Sequence, residues 1–229
     1  MFEVAGLDVF YGESHIVRDV SLSLRETGTL AVMGRNGMGK TTLLKALIGM
    51  LPARRGSIRL GGLDLAKLAS YARVKAGVAF VPQGRMIFPM LTVQENIMTG
   101  LEYSQSRSIP SYIYRFFPVL QEMKARRGGN LSGGQQQMLA IARALVTDPK
   151  VLILDEPTEG IQPSIIKEIA STLKELKREL GFSILVSEQV LSFAMEVADE
   201  FIILERGRVV HAEAKESLDI QRVKSFLTV

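Results

Sequence analysis

The stretch GRNGMGKTT, residues 34–42, combines glycines, a lysine and two hydroxyl groups at a spacing suited to holding phosphates. It fits G-x-x-x-x-G-K-S/T, the P-loop pattern. Backbone N–H groups that open a helix attract anions, and glycines leave the phosphates room to approach. The lysine neutralises β- and γ-phosphate charge, and the next hydroxyl is a ligand for Mg²⁺. The predicted nucleotide-binding residues of this loop are Gly34, Arg35, Asn36, Gly37, Met38, Gly39, Lys40, Thr41 and Thr42.

Two adjacent acids follow the apolar run VLIL, which is typical of a buried strand. Ligands of open α/β sheets bind beyond the carboxyl ends of the strands. Asp155 is therefore expected in the coordination shell of Mg²⁺, and Glu156 is placed to polarise a water in line with the γ-phosphate. The alternative for this pair is a helix N-cap followed by a surface acid.

A second glycine-rich stretch, LSGGQQQMLAIARAL, begins at Leu131. Ser132 can cap the helix that follows, and Gly133 and Gly134 leave its N-terminal amides open. The sequence thus predicts a second anion site, about 90 residues after the first. One triphosphate hardly needs two such cradles within one subunit. A plain serine-capped helix is the alternative.

The elements around these residues predict an α/β fold. The short apolar run TLAVMG is typical of a buried strand entering the phosphate loop, and apolar residues at helical spacing follow it. Strand and helix patterns alternate again after residue 135, which favours a mostly parallel core sheet with right-handed crossovers. The first thirty residues alternate between apolar and polar positions, as in antiparallel strands. The run DEFIILERGRVVHAE predicts a closing hairpin around Gly207.

From Arg85 to Gly129 the sequence changes to aromatic and methionine-bearing helical segments with several prolines, and the segment predicted to be set apart is 86–149. Thr92 is followed three residues later by a glutamate, the spacing of a capping box that opens a helix. We expect an inserted helical lobe here, within a single domain that spans all 229 residues. Residues 1–85 and 150–229 would then form the lobe that binds the nucleotide.

Composition excludes several functions. The chain has no cysteine, and so no disulfide, zinc–cysteine site or thiol nucleophile. No run approaches the roughly 20 apolar residues of a membrane span and no signal peptide is visible, so we expect a cytoplasmic protein. The net charge is +4, with tight basic clusters at 54–55 and 124–127. We interpret both clusters as solvated surface rather than a nucleic-acid face.

Together these motifs resemble those of the ATP-binding cassette ATPases, and the resemblance covers essentially the whole chain. LSGGQ matches that family's signature sequence and stands, as in the family, between the P-loop and the strand that ends in acids. The resemblance implies that two cassettes pair head to tail, and that each signature closes on the γ-phosphate held by the other's P-loop. The signature residues are then Leu131, Ser132, Gly133, Gly134 and Gln135.

The same resemblance implies roles for residues in two other places. Tyr11 matches the aromatic residue that stacks on adenine, with a bland turn or core residue as the alternative. Gln83 matches the glutamine that contacts Mg²⁺ and the attacking water, and that leads into the surface gripping the membrane partner. Met86, Ile87 and Phe88 are expected to be exposed on that surface, with packing inside the helical lobe as the alternative.

Two positions depart from the general cassette pattern. Gln189 stands where most cassettes have a switch histidine. Its amide can hydrogen-bond the γ-phosphate or water but cannot titrate near neutral pH, so base assistance is expected to rest on Glu156. Residues 159–162 read EGIQ where most cassettes read SALD, so Gln162 replaces the aspartate that usually makes a contact across the dimer.

These departures resemble the branched-chain amino-acid uptake branch, and the run TEGIQPSII is most similar to its urea-type members. The resemblance implies the energy-coupling ATPase of an importer for urea or short amides or, alternatively, for branched-chain amino acids. Its implied ligands are ATP and Mg²⁺. Its implied partners are a second ATPase subunit or another copy of itself, two transmembrane permease subunits and, indirectly, a periplasmic solute-binding protein, with no nucleic acid. The implied location is peripheral, on the inner face of the cell membrane.

Functions of two other classes stay open at this point. Cassette ATPases of DNA repair or translation usually carry a coiled-coil insertion or two fused cassettes, and neither is visible in this sequence. A P-loop kinase acting on a small acceptor would leave LSGGQ unexplained.

Overall fold

The computed structural model describes residues 1–104 and 106–227, which form two β-sheets and a set of helices. The strands are β1 (Phe2–Tyr11), β2 (Ser14–Leu24), β3 (Thr29–Met33), β4 (Ala53–Leu60), β5 (Leu63–Asp64), β6 (Val78–Val81), β7 (Val151–Asp155), β8 (Ser183–Glu188), β9 (Glu200–Glu205) and β10 (Arg208–Ala214). The helices are α1 (Lys40–Leu47), α2 (Ser70–Lys75), α3 (Val93–Met98), α4 (Ser111–Phe116), α5 (Pro118–Glu122), α6 (Gly133–Leu145), α7 (Pro163–Leu180), α8 (Leu191–Val197) and α9 (Ile220–Leu227).

The core sheet has the strand order β10-β9-β3-β8-β7-β6 within the described residues. Neighbouring strands from β9 to β6 are parallel, and β10 pairs antiparallel with β9. Every residue of β3, β7 and β8 is buried, because one face of the sheet packs on helices and the other on α1 and the second sheet. The predicted α/β fold with a mostly parallel core sheet is confirmed.

The second sheet is antiparallel, with the order β2-β1-β4-β5. Along residues 20–24 of β2 the three apolar side chains are buried and the two serines exposed, as the alternation predicts. The predicted N-terminal antiparallel region is therefore confirmed, while β4 and β5 add a hairpin that the sequence analysis did not identify. The basic pair at 54–55 is exposed on β4, and the Arg54 guanidinium lies 4.9 Å from the centroid of the Phe10 ring.

The regular elements described between β6 and β7 are helical, from α3 to α6. Thr92 and Glu95 form the predicted capping box at the start of α3, with hydrogen bonds in both directions. Apolar side chains of these helices share one hydrophobic core with strands of the main sheet. The helical stretch therefore has no separate core, and its treatment as a lobe spanning 86–149 stays a prediction.

The remaining predicted elements agree with the structure. The longest described helix, α7, ends at Leu180 and is followed by Gly181, which takes the left-handed conformation (φ 74°) common after a helix C-terminus. The hairpin of β9 and β10 turns at residues 206–207, as predicted. Among the described helices, none has the length and apolar character needed to cross a membrane.

Candidate active site

The P-loop joins the end of β3 to the start of α1 at the carboxyl edge of the core sheet. Gly39 precedes α1 in the left-handed conformation (φ 100°), and no side chain caps the helix there. A Cβ at Gly37 (φ 78°) would meet no atom within 4 Å, so the space beside this backbone is open. The loop borders a cavity of about 320 Å³. The cavity is lined by Ile16, Asn36, Gly37, Gly39, Lys40, Thr41, Thr42, Gln83 and Glu156.

Lys40, the P-loop residue that begins α1, carries a buried positive charge, since only 4% of the residue is exposed. Its Nζ donates to the carbonyl oxygens of Gly34 at 2.7 Å and of Arg35 at 3.2 Å. It also forms an ion pair with Glu156 Oε1 at 3.1 Å. A buried ammonium group is tolerated because it is hydrogen-bonded and paired in this way.

Asp155, the last residue of β7, is 2% exposed and lies beside the P-loop. Its Oδ1 accepts hydrogen bonds from Thr41 Oγ1 at 3.2 Å and from Ser187 Oγ at 2.6 Å. Burial raises the pKa of this carboxyl; the two hydroxyl hydrogen bonds oppose the rise and the neighbouring Glu156 adds to it. Ser187 reaches Asp155 because the two residues are register partners on the parallel pair β7 and β8.

The second carboxylate oxygen of Asp155, Oδ2, is buried and has no hydrogen-bond partner among the described residues. Such groups are rare in proteins and call for a physical reason. A carboxylate oxygen beside the Thr41 hydroxyl is a set of hard oxygen donors, which suits Mg²⁺. The residues present thus fit the predicted metal.

Glu156 follows β7 in the left-handed backbone region (φ 46°), which a residue other than glycine adopts only when its surroundings hold it there. Its backbone N–H donates to Ser187 Oγ and to the Ser187 carbonyl, both at 3.1 Å. Its carboxylate accepts from Gln189 Nε2 at 2.9 Å and, more weakly, from Gln83 Nε2 at 3.4 Å. Glu156 therefore lies between the P-loop lysine and two amide side chains.

Gln189 lies directly after β8 and contacts both the P-loop and Glu156. Its Nε2 donates to Glu156 Oε1 and also to Asn36 Oδ1 of the P-loop at 2.8 Å. The two histidines lie elsewhere, since His15 bonds to Asp8 and His211 to Glu213. The structure thus brings Gln189, and neither histidine, next to Glu156 and the P-loop, while its role as the switch residue stays a prediction.

Gln83 lies just after β6, is exposed, and donates from Nε2 to Glu159 Oε2 at 3.1 Å. The residues after it reach the surface: Met86 is 63% exposed and Phe88 48%. The prediction that Ile87 is equally exposed is wrong, because its side chain is half-buried and packs on the main hydrophobic core. Of the three residues, Ile87 alone follows the alternative, in which the side chain packs inside the helical region.

Tyr11 closes β1 and is 60% exposed. It does not line the cavity beside the P-loop. Its role in stacking on adenine therefore stays a prediction.

The signature residues lie at the start of α6 and do not line the cavity beside this chain's own P-loop. Ser132 and Gln135 form a capping box, in which the Ser132 side chain accepts from the Gln135 N–H and the Gln135 side chain accepts from the Ser132 N–H. Leu131 is buried. Gly134 is also buried, and a Cβ there would lie 2.5 Å from the Ile165 side chain, so close packing on α7 requires this glycine. The expectation that Gly134 serves to leave the N-terminal amides of α6 open is therefore wrong.

Sequence reasoning missed two residues that shape the site. Ser187 binds both Asp155 and the Glu156 backbone, and Arg143 of α6 donates to the carbonyl oxygens of Arg85 and Met86. Ser187 carried a signal, since a small hydroxyl residue interrupts the apolar run of a buried strand just before two polar residues. Arg143 carried none, because the contact joins residues nearly sixty positions apart.

A phosphate loop at the carboxyl edge of a parallel sheet, beside a buried aspartate and an adjacent glutamate, defines a P-loop nucleoside triphosphatase. The sequence profile of the ABC transporter family matches residues 17–159 of this chain. This match covers more than half of the chain, and the chain belongs to the ABC transporter family. It is an ATP-binding ATPase of the kind whose hydrolysis is coupled to transport.

Similar proteins include two that are named for branched-chain amino-acid transport. The high-affinity branched-chain amino-acid transport ATP-binding protein BraG of Pseudomonas aeruginosa is 39% identical over 207 residues, which cover 89% of this chain and 88% of the relative. The probable branched-chain amino-acid transport ATP-binding protein LivF of Archaeoglobus fulgidus is 35% identical over 230 residues, covering 99% and 98%.

Solved structures of ABC cassettes have the same fold. An ATP-binding subunit of an ABC transporter superposes with a TM-score of 0.85 at 27% identity and covers 100% of both chains. A dimeric ATP-binding cassette in a post-hydrolysis state, bound to ADP and phosphate, superposes with a TM-score of 0.84 at 25% identity, covering 95% of this chain and 100% of that one.

Proposed function

We propose that this protein is the energy-coupling subunit of an importer, which hydrolyses ATP and drives a separate membrane permease. The observation that carries the proposal is the convergence of Lys40, Asp155, Glu156 and Gln189 at the carboxyl edge of one parallel sheet. Opposite charges, a metal-binding oxygen and an orienting amide then surround the place where a γ-phosphate would lie. This is the arrangement that phosphoryl transfer to water requires.

Each side chain has a distinct role in this proposal. Lys40 and the P-loop amides bind the β- and γ-phosphates, and Glu156 accepts the proton of the attacking water. Gln189 orients Glu156 and the phosphate, since its amide already bonds to both Glu156 and Asn36. The chain relies on Glu156 as the base because glutamine does not titrate.

Thr41, Asp155 and Gln83 would hold Mg²⁺. When bound, this ion neutralises the charge that develops on the β- and γ-phosphate oxygens. The small number of protein ligands is usual for Mg²⁺, which takes one or two carboxylates together with phosphates and waters. Within the described residues, no cluster of three or more His, Cys, Asp or Glu side chains offers an alternative metal site.

The signature residues act in trans in this proposal. They lie away from the cavity of their own P-loop, so a second cassette would have to bring its signature to this phosphate site. Solved relatives of this fold include a dimeric cassette. The second cassette is either a different ATPase subunit or another copy of this chain.

The permease would dock beside Gln83, on the exposed apolar side chains of Met86, Phe88 and Met90. Met90 is 70% exposed, and such apolar groups near one another on a surface are typical of protein contacts. Two permease subunits and a periplasmic solute-binding protein complete the proposed importer. The ATPase would therefore sit on the cytoplasmic face of the cell membrane.

Two solutes remain candidates. The names of the BraG and LivF relatives favour branched-chain amino acids. Urea or a short amide is favoured by the run TEGIQPSII alone, and the relatives do not support it.

The test is purification of the tagged chain from gently solubilised membranes, followed by reconstitution of the copurified proteins into vesicles. We expect two multispanning proteins, and ATP-driven uptake of radiolabelled leucine or of radiolabelled urea. Glu156→Gln is the matched control, because it keeps the size of the side chain and removes the base. Recovery of the chain with ribosomes or nucleic acid only would contradict the importer and favour a cassette ATPase of DNA repair or translation.

A further inference from the structure

Glu188, the last residue of β8, is a buried carboxylate to which the proposed mechanism gives no role. It is 1% exposed and lies beside Met33, its register partner at the end of β3. A buried carboxylate is strongly unfavourable unless hydrogen bonds replace its water. Burial does raise the pKa of Glu188, and hydrogen bonds from neighbouring residues oppose that rise.

Those hydrogen bonds come from two different loops. Oε1 accepts from the backbone N–H and the hydroxyl of Thr158, which follows β7. Oε2 accepts from the backbone N–H groups of Gln189 at 2.7 Å and Val190 at 2.9 Å, which follow β8. One side chain thus ties together the loops after two neighbouring strands.

These loops carry the two residues that meet in the candidate active site. Thr158 is two residues beyond Glu156, and Gln189 is the amide that donates to the Glu156 carboxylate at 2.9 Å. Glu156 also has a left-handed backbone that its surroundings must maintain. Glu188 does not line the cavity beside the P-loop, so its only route to this pair is through its hydrogen bonds with the two loops.

Three of the four partners are backbone N–H groups, which can only donate, and they need an acceptor oxygen at both ends of the carboxyl group. Each carboxylate oxygen accepts two hydrogen bonds, whereas a glutamine has only one acceptor oxygen. The best orientation of a glutamine would turn its nitrogen to the Thr158 hydroxyl, which can accept. The Thr158 N–H would then have no acceptor, while the bonds to Gln189 and Val190 would remain.

We propose that Glu188 is a positioning residue, which fixes the loop of Glu156 and the loop of Gln189 relative to each other so that hydrolysis depends on it and ATP binding does not. The proposal rests on the proposed function, in which Glu156 and Gln189 act on the attacking water. A misplacement of a reacting group by about 1 Å is enough to lower a rate by about 100-fold.

The test measures steady-state ATP hydrolysis and ATP binding by the full chain carrying Glu188→Gln. We expect kcat to fall by about 10-fold or more, with KM and the Kd for ATP within about twofold of the parent. Thr158→Val, which removes only the hydroxyl, is expected to lower kcat about threefold, again without a change in Kd. If Glu188→Gln does not fold, Thr158→Val carries the test. A parental kcat, or a loss of ATP affinity that accounts for the loss of activity, would overturn the proposal.

Ser183→Ala is the matched control. Ser183 is a buried polar residue at the opposite end of β8, and its hydroxyl donates to the Arg25 carbonyl at 3.0 Å. Its loss weakens the same strand without reaching either loop. We expect a lower Tm and an unchanged kcat; a fall in kcat equal to that of Glu188→Gln would mean that weakening β8 is sufficient, and would overturn the proposal.

A second background separates positioning from general support of the fold. If Glu188 acts through the contact of Glu156 with Gln189, then Glu188→Gln should lower kcat less than about twofold in a Gln189→Ala chain. An equal fold-loss in both backgrounds would contradict the proposal. Failure of the proposed function itself would look different, because brisk hydrolysis by Glu156→Gln would reveal it whatever Glu188 does.

Discussion

The chain contains two glycine-rich stretches that each open a helix, and they differ in almost every physical respect. The P-loop places left-handed glycines before α1, has no side-chain cap, and borders an open cavity that the ion pair of Lys40 and Glu156 also lines. The signature stretch begins α6 with a complete capping box, and its second glycine packs against Ile165. At Gly37 of the P-loop the missing side chain leaves open space beside the cavity. At Gly134 the missing side chain makes room for a neighbouring helix.

This difference indicates which of the two stretches can form a phosphate site within a single chain. The P-loop contacts two carboxylates of its own chain, through the Lys40 ion pair with Glu156 and the Thr41 hydrogen bond to Asp155. The signature has only a serine, a glutamine and helix amides, so under the proposed function it would complete a phosphate site rather than form one alone.

Replacing Glu156 by glutamine should affect the P-loop side most strongly. Loss of a general base lowers rates by about 10²- to 10⁴-fold, and ATP binding should persist because Lys40 and the loop amides remain. We expect an ATP-dependent dimer that turns over very slowly, detected by size-exclusion chromatography and phosphate release. Rapid hydrolysis by this variant would mean that another group activates the water.

Mixing two inactive variants should test whether the signature acts across a dimer of identical chains. Lys40→Ala disables the P-loop, and Ser132→Arg blocks the signature with a bulky charge. In a head-to-tail dimer of one chain of each kind, one of the two composite sites is intact, so the mixture should regain up to about a quarter of the parental rate. Recovery would be measured as phosphate release against protein ratio. No recovery, from variants that still bind each other, would count against pairing of the chain with itself.

Alanine at Gly134 and at Gly37 should both lower stability, for opposite reasons. The new Cβ at Gly134 would collide with Ile165, at a typical overpacking cost of about 1–3 kcal/mol. At Gly37 there is space, but the left-handed backbone disfavours alanine by about 1–2 kcal/mol. Ile165→Ala should restore part of the Tm lost in Gly134→Ala and none of that lost in Gly37→Ala. Equal rescue of both would show that the two glycines share one cause.

The smallest predicted effect concerns pH. Because Gln189 does not titrate, turnover should lack a step between about pH 6 and 7 that belongs to a switch residue. Gln189→His should acquire such a step in its kcat profile, with activity changing as the imidazole gains its proton. A step already present in the parent, and surviving removal of both His15 and His211, would point to a different titrating group.

Local patterns account for most of what the sequence predicted correctly. The P-loop, the strand before it, the capping box of Thr92 and Glu95 and the cap by Ser132 are set by residues within a few positions of each other, so their spacing is sufficient. The family resemblance added Gln189, whose contacts with Asn36 and Glu156 no spacing would have predicted.

Contacts between distant residues account for the failures. Ser187 meets Asp155 and Glu188 meets Thr158 only because β7 and β8 are neighbours in a particular register. Ile87 looked like its exposed neighbours, and only the packing of the helical region shows that it points inward. The hairpin of β4 and β5 was missed because the charged and glycine residues of ARRGSIRL hide the alternation.

The position of β3 also has a consequence for the order in which the protein can fold as it is synthesised. This strand leads directly into the phosphate loop. The two strands that pair with it, β8 and β9, come about 150–170 residues later in the chain. At typical ribosomal speeds, this corresponds to roughly 10–30 s during which β3 has no edge to pair with. The first chemically specific element to leave the ribosome is thus among the last to be fixed in place, and until then its five apolar and hydroxyl residues depend on other surfaces for protection from aggregation.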